Sequence, residues 1–199
     1  MKRKLAQTFV NLFHPMLALP WAALLLITFT PMCMLRSSAK WTFIGEVMLY
    51  SVLLPLVLAV ILYKMKMVKD VALHDRKDRI IPLLAQIIFL VVLEITLQWQ
   101  ALPLWALSIF KGGILLAVIA CAVSFFWKIS GHAMANGALA TIAFVLYFEF
   151  PLMMPLCIPL VLLVTLGLVC SLRLYLKRHT LAQVAAGALA GCLSMLVFL

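Results

Sequence analysis

Residues Ile80–Leu97 read IIPLLAQIIFLVVLEITL, eighteen positions in which Glu94 is the single charge. At about 1.5 Å of rise per residue, a helix of this length measures about 27 Å, close to the ~30 Å hydrocarbon core of a bilayer. Six further stretches share this character, near Pro15–Leu35, Phe43–Tyr63, Pro103–Phe126, Ala133–Phe148, Leu152–Leu172 and Leu181–Leu199. Hydrophobic residues make up 67% of the 199 and charged residues 11%. A soluble domain carries about 25% charged residues to solvate its surface, so lipid must cover most of this chain. The expected fold is all-α: a polytopic transmembrane helix bundle of six to seven spans, forming one domain over residues 1–199. Its short connections leave no room for a soluble appendage.

The net charge of +10 is distributed unevenly. Counting alternate connections, one membrane face receives Lys2, Arg3, Lys4, Lys64, Lys66, Lys69, Arg76, Lys77, Arg79, Lys128, Arg173, Lys177 and Arg178, and the other Arg36 and Lys40. Cytoplasmic loops are enriched in Lys and Arg, which places the N-terminus and the basic face in the cytoplasm. The apolar segment after Met-Lys-Arg-Lys lacks a small-residue cleavage site and is expected to stay as the first helix. The five cysteines fall in apolar segments without paired spacing and are expected to be buried free thiols. The five tryptophans lie near helix ends, as in an aromatic belt. Glu46, Glu94 and Glu149 fall toward the less basic face near hydrated helix ends, with Lys111 within reach of Glu94; no chemistry is assigned to them.

Polar residues collect at three places on the basic face. In Lys128-Ile-Ser-Gly-His132, Ser130 and Gly131 precede a helix, where free backbone N–H groups form an anion site. His132 in the first turn is placed to protonate a leaving group. An ordinary serine cap would look the same. In the segment from Arg173 to Gln183, His179 and Gln183 are four apart and share a helical face. The glutamine carbonyl can accept from one ring nitrogen and leave the other free to attack. Arg173 can grip a phosphate oxygen through its forked donors, although a positive-inside cluster would also contain it. Lys69 and Arg76 are two helical turns apart, with Arg79 one turn further; Asp75 could instead pair with Arg79 locally. Gly187 and Gly191 continue the His179 face, and Ala133, Asn136, Gly137, Ala140 and Ala143 give the preceding basic-face helix a smooth side. Small residues at such spacing let two helices touch in lipid, which would bring His132 and His179 across one pocket.

Together the three places resemble the type 2 phosphatidic acid phosphatase family, within the superfamily that includes vanadium haloperoxidases. That family carries K-x6-R-P, then P-S-G-H, then S-R-x5-H-x3-D. Here these become Lys69-x6-Arg76 followed by Lys77, then Ile129-Ser130-Gly131-His132, then Ser171-Leu172-Arg173-x5-His179-x3-Gln183. The resemblance implies a phosphohistidine mechanism that needs no metal or cofactor. His179 would attack phosphorus, His132 would protonate the departing alkoxide, and Lys69, Arg76, Ser130, Gly131 and Arg173 would cradle the phosphate. Gln183 stands where the family has aspartate, and Arg79, three residues before Pro82, competes with Arg76 as the phosphate cation.

The expected activity is hydrolysis of a lipid phosphate ester or pyrophosphate, with a phospholipid or isoprenoid-lipid phosphate as substrate and no nucleic-acid partner. Compact loops suggest a bacterial inner membrane, with the active site on the cytoplasmic side. The rival class is a non-catalytic protein that binds or transports a lipid phosphate, favoured by Gln183 in place of aspartate. An intramembrane serine protease would want Gly-x-Ser-Gly, and Lys128 stands two before Ser130. A prenyltransferase would want paired aspartate clusters for magnesium, which Asp70, Asp75 and Asp78 do not form.

Overall fold

The computed structural model describes residues 2–68 and 77–199. Among them the chain forms nine α-helical segments and no strand: α1 (Lys2–Leu12), α2 (Ala18–Phe29), α3 (Ser37–Met48), α4 (Leu54–Lys64), α5 (Ile80–Trp99), α6 (Leu104–Ser124), α7 (Gly131–Glu149), α8 (Cys157–Tyr175) and α9 (Leu181–Leu196). Two pairs run on through irregular turns, so six helices are long and apolar enough to cross a membrane: Arg3–Phe29, Ser37–Lys64 and α5 to α8. The all-α membrane bundle expected from the sequence is the observed one. Lys69 and Arg76 lie outside the described residues.

The ends of the chain differ from expectation. The first long helix starts at Arg3 and not near Pro15, because Ala6 and Val10 of α1 are buried and hold a polar-looking segment in the bundle. The break falls at His14, whose extended backbone (φ −65°, ψ 144°) is what a residue before proline adopts. Pro15 then opens a short 3-10 turn, Pro15–Leu17. At the other end, α9 has 16 residues, about 24 Å, short of a full crossing. The second pair joins through a π-helical turn, Leu49–Leu53, just before Pro55. A proline removes an N–H and crowds the carbonyl four residues back, and the wider turn absorbs both.

Lipid-facing surfaces are apolar: Ile88, Val161, Val164 and Leu189 are exposed. The centre is α7, with 61% of its apolar window buried against 22% for α5. Its partner is α9, and glycines set their separation. A Cβ on Gly137 would lie 2.6 Å from the Ala188 carbonyl oxygen, and one on Gly191 would overlap the Met134 carbonyl. With no difference in hydrophobicity between lipid and a leucine face, such close van der Waals contact is what associates helices. The smooth-face reading of α7 and α9 describes this contact. On the far side, Leu93, Leu97, Ile109 and Phe110 fill the core between α5 and α6, with the Phe43 ring edge-on to Phe110 at 6.1 Å.

Two expectations need correction. All five cysteines are free, but Cys121 alone is buried; Cys157 is exposed and Cys33, Cys170 and Cys192 are half-buried, because lipid-facing positions are apolar without being enclosed. Glu94 is buried, not hydrated, at 8% exposure. It accepts from Gln98 and lies 3.9 Å from the Lys111 ammonium, which compensates its burial.

Candidate active site

Among the described residues, each predicted element of the site is positioned by a helix end. Helix α8 closes with the Lys177 N–H on the Leu174 carbonyl and the Arg178 N–H on the Arg173 carbonyl, a reversal that needs a left-handed residue. Lys177 takes that conformation at φ 54° without being glycine. The turn sends the chain back over Arg173, which occupies the last turn of α8. His179 follows, only 8% exposed.

Thr180 caps α9 in a reciprocal box: its hydroxyl accepts from the Gln183 N–H at 3.4 Å, and the Gln183 side chain accepts from the Thr180 N–H at 3.3 Å. The same Oε1 lies 3.0 Å from Nδ1 of His179. A backbone N–H can only donate, so the amide atom facing it is oxygen. That oxygen can only accept, so Nδ1 of His179 carries the ring hydrogen and Nε2 keeps its lone pair. Burial disfavours the charged imidazole and pulls its pKa from 6.5 to about 4; the Gln183 bond opposes the shift, while Arg173, Arg79 and Lys128 add to it. His179 is thus a neutral ring with a free nitrogen at ordinary pH.

The start of α7 is joined to this turn directly, the Ser130 N–H donating to the Gln183 carbonyl at 3.3 Å. Ser130 is fully buried and its Oγ accepts from the Ala133 N–H at 3.4 Å. The hydroxyl therefore acts as a helix cap, and the cavity wall at this turn is formed by Ile129, Gly131 and His132. Nε2 of His132 is buried without a hydrogen-bond partner, as is Nε of Arg173. Buried donors and acceptors seldom go unpaired; two beside one cavity mark where a polar ligand fits. Arg79, at the start of α5, reaches the Ile129 carbonyl with Nη1 at 3.4 Å.

Arg79, Gly131, His132, Arg173 and His179 line one cavity of about 360 Å³. Gln183 stands behind His179 and orients it. The cavity continues past His132 to Leu139 and Ile142 of α7, and to Leu90 and Met195 of the neighbouring helices. Ile142 lies ten positions beyond His132 on α7, about 15 Å along the axis. A basic, imidazole-lined head thus opens onto an apolar shaft.

His14 also lines this cavity, and the sequence reading passed over it. Its ring meets that of His132 with centroids 5.1 Å apart and planes at 84°. Asn136 holds the two together, its Nδ2 donating to the carbonyls of His132 at 2.8 Å and Phe13 at 3.1 Å. The signal available was Gln7, Asn11 and His14 at helical spacing beside a proline.

Set against family models, curated proteins and solved structures, the chain matches none of them.

Proposed function

We propose that this chain is a membrane-embedded lipid phosphate phosphatase, a divergent relative of the type 2 phosphatidic acid phosphatases, working through a phosphohistidine. The observation that carries the reading is a single cavity lined by Arg79, His132, Arg173 and His179 and continued by an apolar shaft. A phosphate ester bearing a hydrocarbon tail is complementary to both ends. The substrate is accordingly a phospholipid or isoprenoid-lipid phosphate.

In this mechanism Nε2 of His179 attacks phosphorus while the bond to the lipid oxygen breaks. A proton carried in on the substrate's phosphate passes to Nε2 of His132 and from there to that oxygen, and the lipid alcohol leaves. Water then attacks the phosphohistidine and gives its proton to His132. Inorganic phosphate departs with that proton, and both imidazoles return to their neutral starting states. The guanidinium groups of Arg79 and Arg173 balance charge on the phosphoryl oxygens throughout. Gln183 replaces the family's aspartate as the group that aims the ring, without its negative charge.

The basic face that bears the site lies in the cytoplasm by the distribution of Lys and Arg, and the compact loops fit a bacterial inner membrane. Purified protein in detergent or liposomes, offered a panel of lipid phosphates and pyrophosphates, should release inorganic phosphate, and His179→Ala should abolish the release. Saturable binding of lipid phosphate without turnover would replace this reading with that of a non-catalytic binder.

A further inference from the structure

We infer that His14 is a third imidazole of the site and contacts the substrate as a neutral donor, a role that rests on the phosphatase reading. Nδ1 of His14 accepts from the Met16 N–H at 3.3 Å. Pro15 has no N–H to offer, so the Met16 amide is the first free donor of the 3-10 turn and His14 is its cap. With Nδ1 accepting, the ring hydrogen sits on Nε2. Adding a proton at Nδ1 would set two donors against each other, so the cap holds the ring neutral.

The ring is aimed by its surroundings. It stands edge-to-face with His132 and lines the same cavity as His132, Arg173, His179 and Arg79. Arg79 and Arg173 already supply positive charge. A donor that adds none serves an oxygen carrying little charge of its own, which in a phosphate ester is the bridging oxygen to the lipid. His132 addresses that oxygen as well, and the rings lie 5.1 Å apart, so His14 would hold the oxygen while His132 protonates it. The polar wall beyond, Gln7 and Asn11, belongs to α1, which ends just before His14. The first helix therefore contributes to the substrate's recognition.

The two ring nitrogens can be separated by substitution. Asparagine places an acceptor near Nδ1 and lacks the distal donor, whereas glutamine places an amide N–H near Nε2 and lacks the cap. Full-length protein in detergent would be assayed for thermal unfolding, for inhibition by orthovanadate, and for hydrolysis of a short-chain phosphatidic acid. His14→Asn should leave the unfolding temperature in place and raise KM and the inhibition constant of vanadate, whose apical oxygen stands in for the bridging one, by about 5- to 10-fold, as loss of a hydrogen bond to a weakly charged oxygen does. His14→Gln should lower the unfolding temperature and keep both constants within about threefold, since its donor remains. In the unsubstituted protein, vanadate should shield His14 from diethyl pyrocarbonate, a reading that needs no variant to fold. Unchanged constants in His14→Asn, or no shielding, would reduce His14 to a helix cap while leaving the phosphatase reading intact. If the unsubstituted protein neither binds vanadate nor releases phosphate, both fall together.

Discussion

A Cβ on Gly187 would lie 2.8 Å from the carbonyl oxygen of Ser130, so α9 crosses the start of α7 at a distance that only glycine permits. Both neighbours of that contact matter, because Ser130 precedes His132 and Gly187 follows Gln183 by one helical turn. Backbone cannot yield as a flexible side chain can. Gly187→Leu should therefore part the two helix ends, cost about 1–3 kcal/mol of stability as overpacking does, and suppress phosphate release. Gly167 is the control, with nothing within 4 Å of its Cβ position. Gly167→Ala should be neutral or stabilise by up to about 1 kcal/mol through helix propensity. Thermal unfolding of both variants checks this pair.

The pH dependence should carry the mark of His179. Its folded pKa of about 4 lies below the ordinary 6.5, so the neutral, attacking ring persists in acid. The acid limb of kcat/KM due to this residue should fall near pH 4 and not near 6.5. Stability follows the same sign. The unfolded chain binds this proton more readily, so the contribution is complete above pH 6.5 and is lost as pH falls toward about 4. His179→Gln should flatten unfolding free energy across that window.

Gln183→Ala removes an aiming group and a cap at once. Turnover should drop by roughly 10- to 100-fold, the scale of losing a group that orients a reacting histidine, and the helix should weaken by about 1 kcal/mol. Gln183→Glu keeps the acceptor and adds a negative charge, which favours the imidazolium. It should retain activity and move the acid limb to higher pH. If Gln183→Glu instead matches Gln183→Ala, the orienting role of the carbonyl is wrong.

His132→Ala should slow cleavage of alkyl phosphates by roughly 10²- to 10⁴-fold, the usual scale of general acid catalysis. An aryl phosphate with a good leaving group needs no proton and should suffer far less. Equal losses on both substrates would deny His132 the acid role.

Lys177 offers a test of the local backbone. A left-handed non-glycine residue costs about 1–2 kcal/mol, and Lys177 holds φ at 54°. Lys177→Gly should raise stability by about 0.5–1 kcal/mol, the gain being partly offset by the freer unfolded chain.

The features legible in the sequence were those with a fixed period. Long apolar runs gave the spans and the small residues of α7 and α9 gave the helix contact; the His179–Gln183 pair is present at 3.0 Å, but His179 stands ahead of the Thr180 cap and not on the face of α9, so the capping turn and not helical spacing brings the two together. Features created by interrupting a helix were harder to read. Pro15 looked like a beginning and is a kink, which hid His14 on the far side of it. The π-turn before Pro55 leaves no periodic trace. Ser130 reads equally well as ligand or cap, and its complete burial decides only that the hydroxyl serves the helix. The Thr180–Gln183 box was visible as a spacing, but attention to Gln183 as a partner of histidine obscured its second bond.

That second bond ties the winding of α9 to the aim of His179. One amide oxygen both closes the first turn of α9 and fixes the tautomer of the ring behind it. A nascent chain halted before this turn winds would carry every other group of the site and still present a misdirected imidazole. On the phosphatase reading, turnover therefore waits on the winding of α9.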